Sequence, residues 1–514
     1  MIAELVTRQE ERGHETRPVR VHRQVQRTTR LLQLVATGAE WQSIIEKETF
    51  ASLKLRSVAD ILRLGQIVDR RRERCIKKIR LHVELADYDH DVCELEEDQD
   101  TMRLNNTIFS QHLIPLLSII SQWKDSSGLT LDLSAASRSD SLHSFSKLYS
   151  DVDLTFWAAN DVSLEERKRT LGNLLDLSSQ DSDQVVLPSV PAVARFILTR
   201  RHFRSFSPET VRVVLGCFPN LEQVAYEPYA GVDEDTQSAR DAANTALLNE
   251  LPKSTRTVSL WEYDRHPLND EPTKKLDHDL VLAAANASHR LESLCVTFAL
   301  EAHDFFDVQL PTDLAPWRNL HTLSLTSSWL TMADSALVNR VLLAAGEKAK
   351  PMPKLQIMEL WHHKRETSVG GTGCFLFQYE AGDGLATATV YRTAGTSDFI
   401  PAKEVKEAWD AVAKGGLEFD VINTPLAFSY SEQYPMVGSL EGVLRQDLGG
   451  IRHAMGHWDA DMQDDALGTP PWECGTKSKI CLEVQLKERV FSRCTEESEG
   501  FIRQVRVAHG QTLT

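Results

Sequence analysis

The sequence predicts an α/β fold: an irregular leucine-rich-repeat-like solenoid, with parallel strands backed by helices on the other face, behind a short helical N-terminal segment. Three observations predict it. A short motif, apolar-x-x-apolar-x-apolar, returns along the chain. A helix-like stretch ending in a breaker usually precedes it. The composition, 42% hydrophobic and 25% charged, is that of an ordinary globular protein.

The motif first occurs as FASLKL from Phe50 and IKKIRL from Ile76. It returns as LEQVAY from Leu221, TRTVSL from Thr255, LESLCV from Leu291, LHTLSL from Leu320 and LQIMEL from Leu355. Alternation over the last three positions sends two apolar side chains to one face of a strand. The stretches ahead of the later motifs, such as SPETVRVVLGCFPN and DSALVNRVLLAAGEKAKPMPK, have helical character and then proline, which cannot continue the hydrogen-bond ladder. The unit is thus helix, turn, strand, and stacked units give a parallel sheet. Its period is mostly longer than that of regular leucine-rich repeats, and Ser327 and Ser328 follow Leu325 where those repeats carry Asn or Cys. An ordinary α/β domain whose strands start alike is the alternative.

Two stretches between the early and middle motifs read as loops: the acidic residues 84–103 and the serine-containing residues 134–192. Between them, NTIFSQHLIPLLSIISQW predicts a buried helix interrupted near Pro115, followed by the strand GLTLDLS. After residue 365, TSVGGTGCFLFQYE and LATATVYRT form a glycine-linked strand pair, AKEVKEAWDAVAK an amphipathic helix and LEFDVI a further strand. The predicted organisation is a basic segment 1–35, a helical segment 36–50, a repeat domain 51–365, its α/β continuation 366–445 and a polar tail 446–514.

A formal net charge of −17 disfavours a nucleic-acid partner, because phosphate contacts need an excess of Lys and Arg. There is no run of 18 apolar residues and no apolar signal region near the N-terminus, so neither membrane spanning nor a membrane partner is expected. Eight cysteines are scattered without a CxxC pair and read as reduced thiols. The expected location is cytoplasmic or nuclear.

No GxxxxGK[ST], GxSxG or HExxH spacing occurs, so no enzyme, catalytic residue, cofactor or metal is predicted. GGTGCF around Gly370 lacks the lysine and helix of a phosphate loop and reads as a hairpin turn. In RHAMGHWDADMQDD, His453 and His457 share a helical face with Asp459, Asp461, Asp464 and Asp465 close behind; Ala454 stands where a zincin needs its glutamate, and an acidic surface loop is the better reading. His362 and His363 read as a strand-end pair at the rim, and RRRERCIKK, residues 70–78, as a basic helix end leading into a strand. Arg17, Arg20, Arg23, Arg27 and Arg30 form a solvated stripe.

The stretch EWQSIIEKETFASLKL resembles the third F-box helix of a large set of fungal F-box proteins, A-x-V-x-x-E-W-Q-x-x-I-E followed at once by F-x-x-L-x-L and a degenerate repeat region. CIKKIRLHVELADYD, LIPLLSIISQW, FPNLEQVAYEPYAG, LESLCVTFALEAHDFF and VKEAWDAVA follow as landmarks of that family in the same order, over about residues 36 to 425. Residues 1–35 hold neither the Leu-Pro nor the apolar helix that opens an F-box, so only its rear is visible. The resemblance implies a substrate receptor that binds a Skp1-type adaptor through Trp41, Ile44 and Ile45 and hands a protein partner, held by the repeat domain, to a cullin ubiquitin ligase. The alternative is a stand-alone interaction scaffold; a third class is a metal- or nucleotide-dependent enzyme using the C-terminal region.

Overall fold

The computed structural model describes residues 39–424 apart from 94, 125–127, 143–163, 178–185, 199–203, 230, 263–275, 310–316, 333, 366–371, 383 and 394–398. The arginine stripe, the His453 cluster and the tail lie outside the described residues. The described part falls into two compact units. The smaller holds residues through Leu53 together with Cys75–Lys77, and its main element is helix α1, Ala39–Phe50. The larger begins at Lys54 and, after Arg74, resumes at Lys78.

The strands are β1 (Ser52–Leu55), β2 (Lys78–Leu85), β3 (Leu129–Ser137), β4 (Leu174–Leu175), β5 (Val193–Leu198), β6 (Ser205–Phe206), β7 (Gln223–Tyr226), β8 (Thr257–Trp261), β9 (Ser293–Thr297), β10 (Thr322–Thr326), β11 (Ile357–Arg365), β12 (Thr372–Glu380), β13 (Ala386–Thr393) and β14 (Leu417–Thr424). The helices after α1 are α2 (Val58–Ile67), α3 (Arg70–Glu73), α4 (Gln99–Ile120), α5 (Arg138–Leu142), α6 (Leu164–Leu171), α7 (Pro208–Gly216), α8 (Glu234–Asn249), α9 (His278–Ser288), α10 (Ala302–Asp307), α11 (Ser335–Ala349) and α12 (Lys403–Asp410). Every one of the seven sequence motifs lies on a strand, β1, β2 and β7 to β11.

The result is a mixed α/β fold built on one large, mostly parallel sheet of 12 strands in the order β1-β2-β3-β5-β7-β8-β9-β10-β11-β12-β13-β14, with β4 and β6 paired separately. From β2 to β11 each neighbouring pair is parallel. β12 runs against both of its neighbours, and β14 returns parallel to β13. The order never reverses, so each crossover advances in the same direction, and the right-handed sense of such connections keeps successive helices on one face. α7 to α12 each pack on the next.

Register explains the core. Tyr226, Leu260, Val296, Leu325, Leu360, Phe377 and Val390 sit side by side across seven strands, all buried. Trp409 of α12 packs on Phe377 with ring centres 4.8 Å apart, so this is the helix-covered face. Full burial of each such side chain is worth about 1.5–3 kcal/mol. Helix starts are set by short side chains: Asp98, Ser207, Asp233 and Asp277 each accept a hydrogen bond from the backbone N–H three residues on.

Three expectations are corrected. α4 continues through Pro115 without interruption; the proline removes one backbone donor, and side-chain bonds from His112 and Ser118 to the carbonyls of Ile108 and Ile114 bind the turns around it. Residues 84–103 are not simply a loop, because α4 begins at Gln99. Residues 134–192 contain the end of β3, α5, α6 and β4. A buried ion network ties these two stretches together. Arg204, 1% exposed, bonds Asp140 at 2.5 Å and Glu97 at 2.7 Å. Asn105 and Asn173 donate to Glu97, and the Tyr88 hydroxyl to Asp140.

Candidate functional site at the carboxyl ends of the strands

On the sheet face away from the helices, the in-register residues of β8, β9, β10, β11 and β12 are Ser259, Cys295, Ser324, Glu359 and Gln378. Glu359 and Ser324 are fully buried. Burial, reinforced by the charge of Glu359, pushes the Cys295 thiol up to about 12. Two residues further along, the row reads Trp261, Thr297, Thr326 and Trp361. The two small threonines let the indoles meet over them, with ring centres 5.7 Å apart. The strip of small polar side chains thus ends under an aromatic roof.

Phe298 completes the roof. It sits in the left-handed backbone region, φ 58°, unusual for an aromatic residue. Its N–H donates to Thr326 Oγ1 at 2.7 Å and its ring meets Trp361 edge-on at 5.3 Å and Trp261 at 5.9 Å. These contacts hold a backbone turn that would otherwise relax.

Past Phe298 the chain delivers Glu301 and His303 against the loop after β10. Glu301 Oε2 accepts from the Ser328 backbone N–H at 2.7 Å. His303 Nδ1 lies 3.1 Å from Ser327 Oγ and 3.5 Å from Glu301, and Nε2 lies 3.7 Å from Asp304. Burial raises the Glu301 and Asp304 carboxyls and lowers His303, against the pull of Asp304 and Asp307. The His303 ring stacks flat on Trp329 at 3.8 Å, and the Arg340 guanidinium sits 5.3 Å over the same indole while bonding Asp307 at 3.2 Å. Thr331 Oγ1 and His362 Nδ1 are 2.9 Å apart, which joins the loop to β11. Trp329, half-exposed, is therefore clamped by an imidazole and a guanidinium that both lie against its ring, with Met332 exposed three residues on.

A serine, an imidazole and carboxylates in contact invite an acyl-transfer reading, but Ser327 is fully buried and presents no hydroxyl to a substrate. The Cys295 thiol stays protonated near neutral pH and is likewise not poised as a nucleophile. Among the described residues no group of three or more His, Cys, Asp or Glu is placed to hold a metal ion. The side chains of this rim are held by one another through the contacts given above.

Of the residues singled out by sequence, Trp41, Ile44 and Ile45 share α1; Ile45 is half-buried, and the other two side chains lie outside the described set. His362 is not at a strand end, because β11 runs on to Arg365 while pairing with β12; through Thr331 it instead reaches the loop after β10, where the Glu301–Ser328 and His303–Ser327 contacts form a latch to the loop after β9. The β11–β12 hairpin agrees with the turn expected around Gly370, which itself is not described. Glu301, His303, Trp329 and Arg340 went unrecognised in the sequence. Ser327 and Ser328 depart locally from the regular repeat pattern, but nothing in that departure points to Glu301 or His303 as their partners.

Residues 250–435 match a family of unknown function (DUF6546). That span takes in the aromatic roof and the whole latch. No curated protein matches the chain. No helix among the described residues is long and apolar enough to cross a membrane.

Proposed function

We propose that the chain is a non-enzymatic receptor that holds a protein partner on the latched carboxyl-end rim, working in the cytosol or nucleus. The observation that carries this reading is the clamped Trp329. Binding hot spots favour Trp and Arg, and a side chain already fixed in its bound rotamer loses little entropy on association. The sequential sheet is read here as a leucine-rich-repeat-like solenoid, in which rim and loop positions carry recognition.

The F-box resemblance of residues 36–55 supports the further step that α1 offers Trp41, Ile44 and Ile45 to a Skp1-type adaptor, so that the partner is presented to a ubiquitin ligase whose chemistry other subunits perform. A stand-alone scaffold without a ubiquitin link is the second reading, which the rim contacts support equally. The rim assignment is tested by comparing proteins cross-linked to the wild-type chain with those cross-linked to Trp329→Ala and to a control, Glu250→Ala, at the other ends of the strands. Partners lost with Trp329→Ala alone support it; identical sets in all three reject the rim.

A further inference from the structure

The turns that lead into the strands carry a second pattern, at the opposite ends of the strands from the latch. β8, β9, β10 and β11 are in register at Thr257, Ser293, Thr322 and Ile357. Arg290 and Lys354 each stand three residues before those positions, and Lys253 and Arg318 four. Four consecutive turns thus present one exposed cation each at nearly the same height. Lys414, in the turn before β14, joins the row by donating from Nζ to the Pro353 carbonyl at 3.0 Å.

Two bonds between turns fix the spacing without neutralising the charge. Arg290 donates to the Pro252 carbonyl at 3.0 Å, and Lys354 to Asn319 Oδ1 at 3.1 Å. The cations tied to carboxylates in this region are others, Arg256 to Glu292 at 2.5 Å and Lys350 to Glu347 at 2.6 Å. Helix carboxyl ends attract cations, but only within about the last turn. Arg318 comes well after the helix that ends at Asp307, so that effect does not account for the row as a whole.

A row of unneutralised cations on a chain with a formal net charge of −17 is where an anion is drawn. We propose that this amino-end rim binds an acidic, extended segment of a partner polypeptide. Strands lie about 4.8 Å apart, so Arg290 and Lys354, two strands apart, are separated at their base by about 10 Å. That is the length of about three extended residues, so carboxylates along such a segment meet successive cations. A polynucleotide is less suited. The net charge of the protein opposes any long polyanion equally, so it is the aromatic rings that discriminate: His289 and Trp317 of these turns stack on each other at 4.1 Å rather than offering a platform for bases. This surface uses the other ends of the strands, so it stands or falls separately from the receptor reading.

The test is fluorescence anisotropy of the full chain with labelled decaglutamate and, separately, with labelled oligothymidylate. The same titrations are made with the fourfold reversal Lys253→Glu, Arg290→Glu, Arg318→Glu, Lys354→Glu. The neutralised pair Lys253→Gln, Arg318→Gln serves if the reversal does not fold. Decaglutamate is expected to bind the wild type, about tenfold more weakly the reversal and about two- to fivefold more weakly the pair, and to be released by salt. No binding, or binding unchanged in both variants, overturns the proposal; tighter binding of oligothymidylate that the same changes abolish replaces it with a nucleic-acid surface.

Discussion

Glu301 and Ser328 belong to loops after two adjacent parallel strands, and the carboxylate of the first accepts the backbone N–H of the second at 2.7 Å. Together with the contact of His303 Nδ1 and Ser327 Oγ at 3.1 Å, this bond closes the latch, and the His303 ring stacks on Trp329. Replacing Glu301 with Ala leaves a backbone donor unsatisfied and should cost about 1–3 kcal/mol. Glu301→Gln, which keeps an acceptor oxygen, should cost less. Urea denaturation of both variants checks the order.

Leu323 is fully buried in the row Leu294, Leu323, Met358 on the helix-covered face. Leu323→Ala should destabilise the protein by about 2–5 kcal/mol through lost contacts and a residual cavity. An unchanged denaturation midpoint would show that β10 is not a core strand.

Arg204 balances two buried carboxylates. Arg204→Met should cost about 3–5 kcal/mol at neutral pH, because Asp140 and Glu97 stay buried without their cation. Urea denaturation midpoints of the variant and the wild type at neutral pH measure it.

Cys217 and Cys295 are held as neutral thiols, both pushed up to about 12 by burial from an ordinary value of 9.0. The folded state therefore binds more protons than the unfolded one above the unfolded-state value, and their stabilisation, complete below it, is lost as pH rises towards 12. A Cys217→Ala, Cys295→Ala double variant should lose less stability than the wild type between neutral and strongly alkaline pH. Parallel pH profiles of the two would contradict this.

The strands were legible because their motif is local: Leu323 and Leu325 alternate with polar residues whatever surrounds them. β5 was missed. VARFIL has no leading leucine at the motif spacing and lies beside a serine-containing stretch that reads as loop. α4 was expected to break at Pro115 because local propensity carries no knowledge of the packing that buries Phe109, Leu113, Leu116 and Leu117 on either side. The latch was invisible for a different reason. Glu301 meets Ser328, and Arg340 meets Trp329, only because neighbouring strands and helices lie side by side, and no sequence spacing encodes those encounters.

Adaptor capture tests the receptor reading most directly. The full chain is co-purified with a fungal Skp1-type adaptor beside the Trp41→Ala, Ile45→Ala variant. We predict a stoichiometric complex with the wild type that the double substitution abolishes. No complex with the wild type, or one that the variant retains, would contradict the adaptor assignment and leave the chain a stand-alone scaffold.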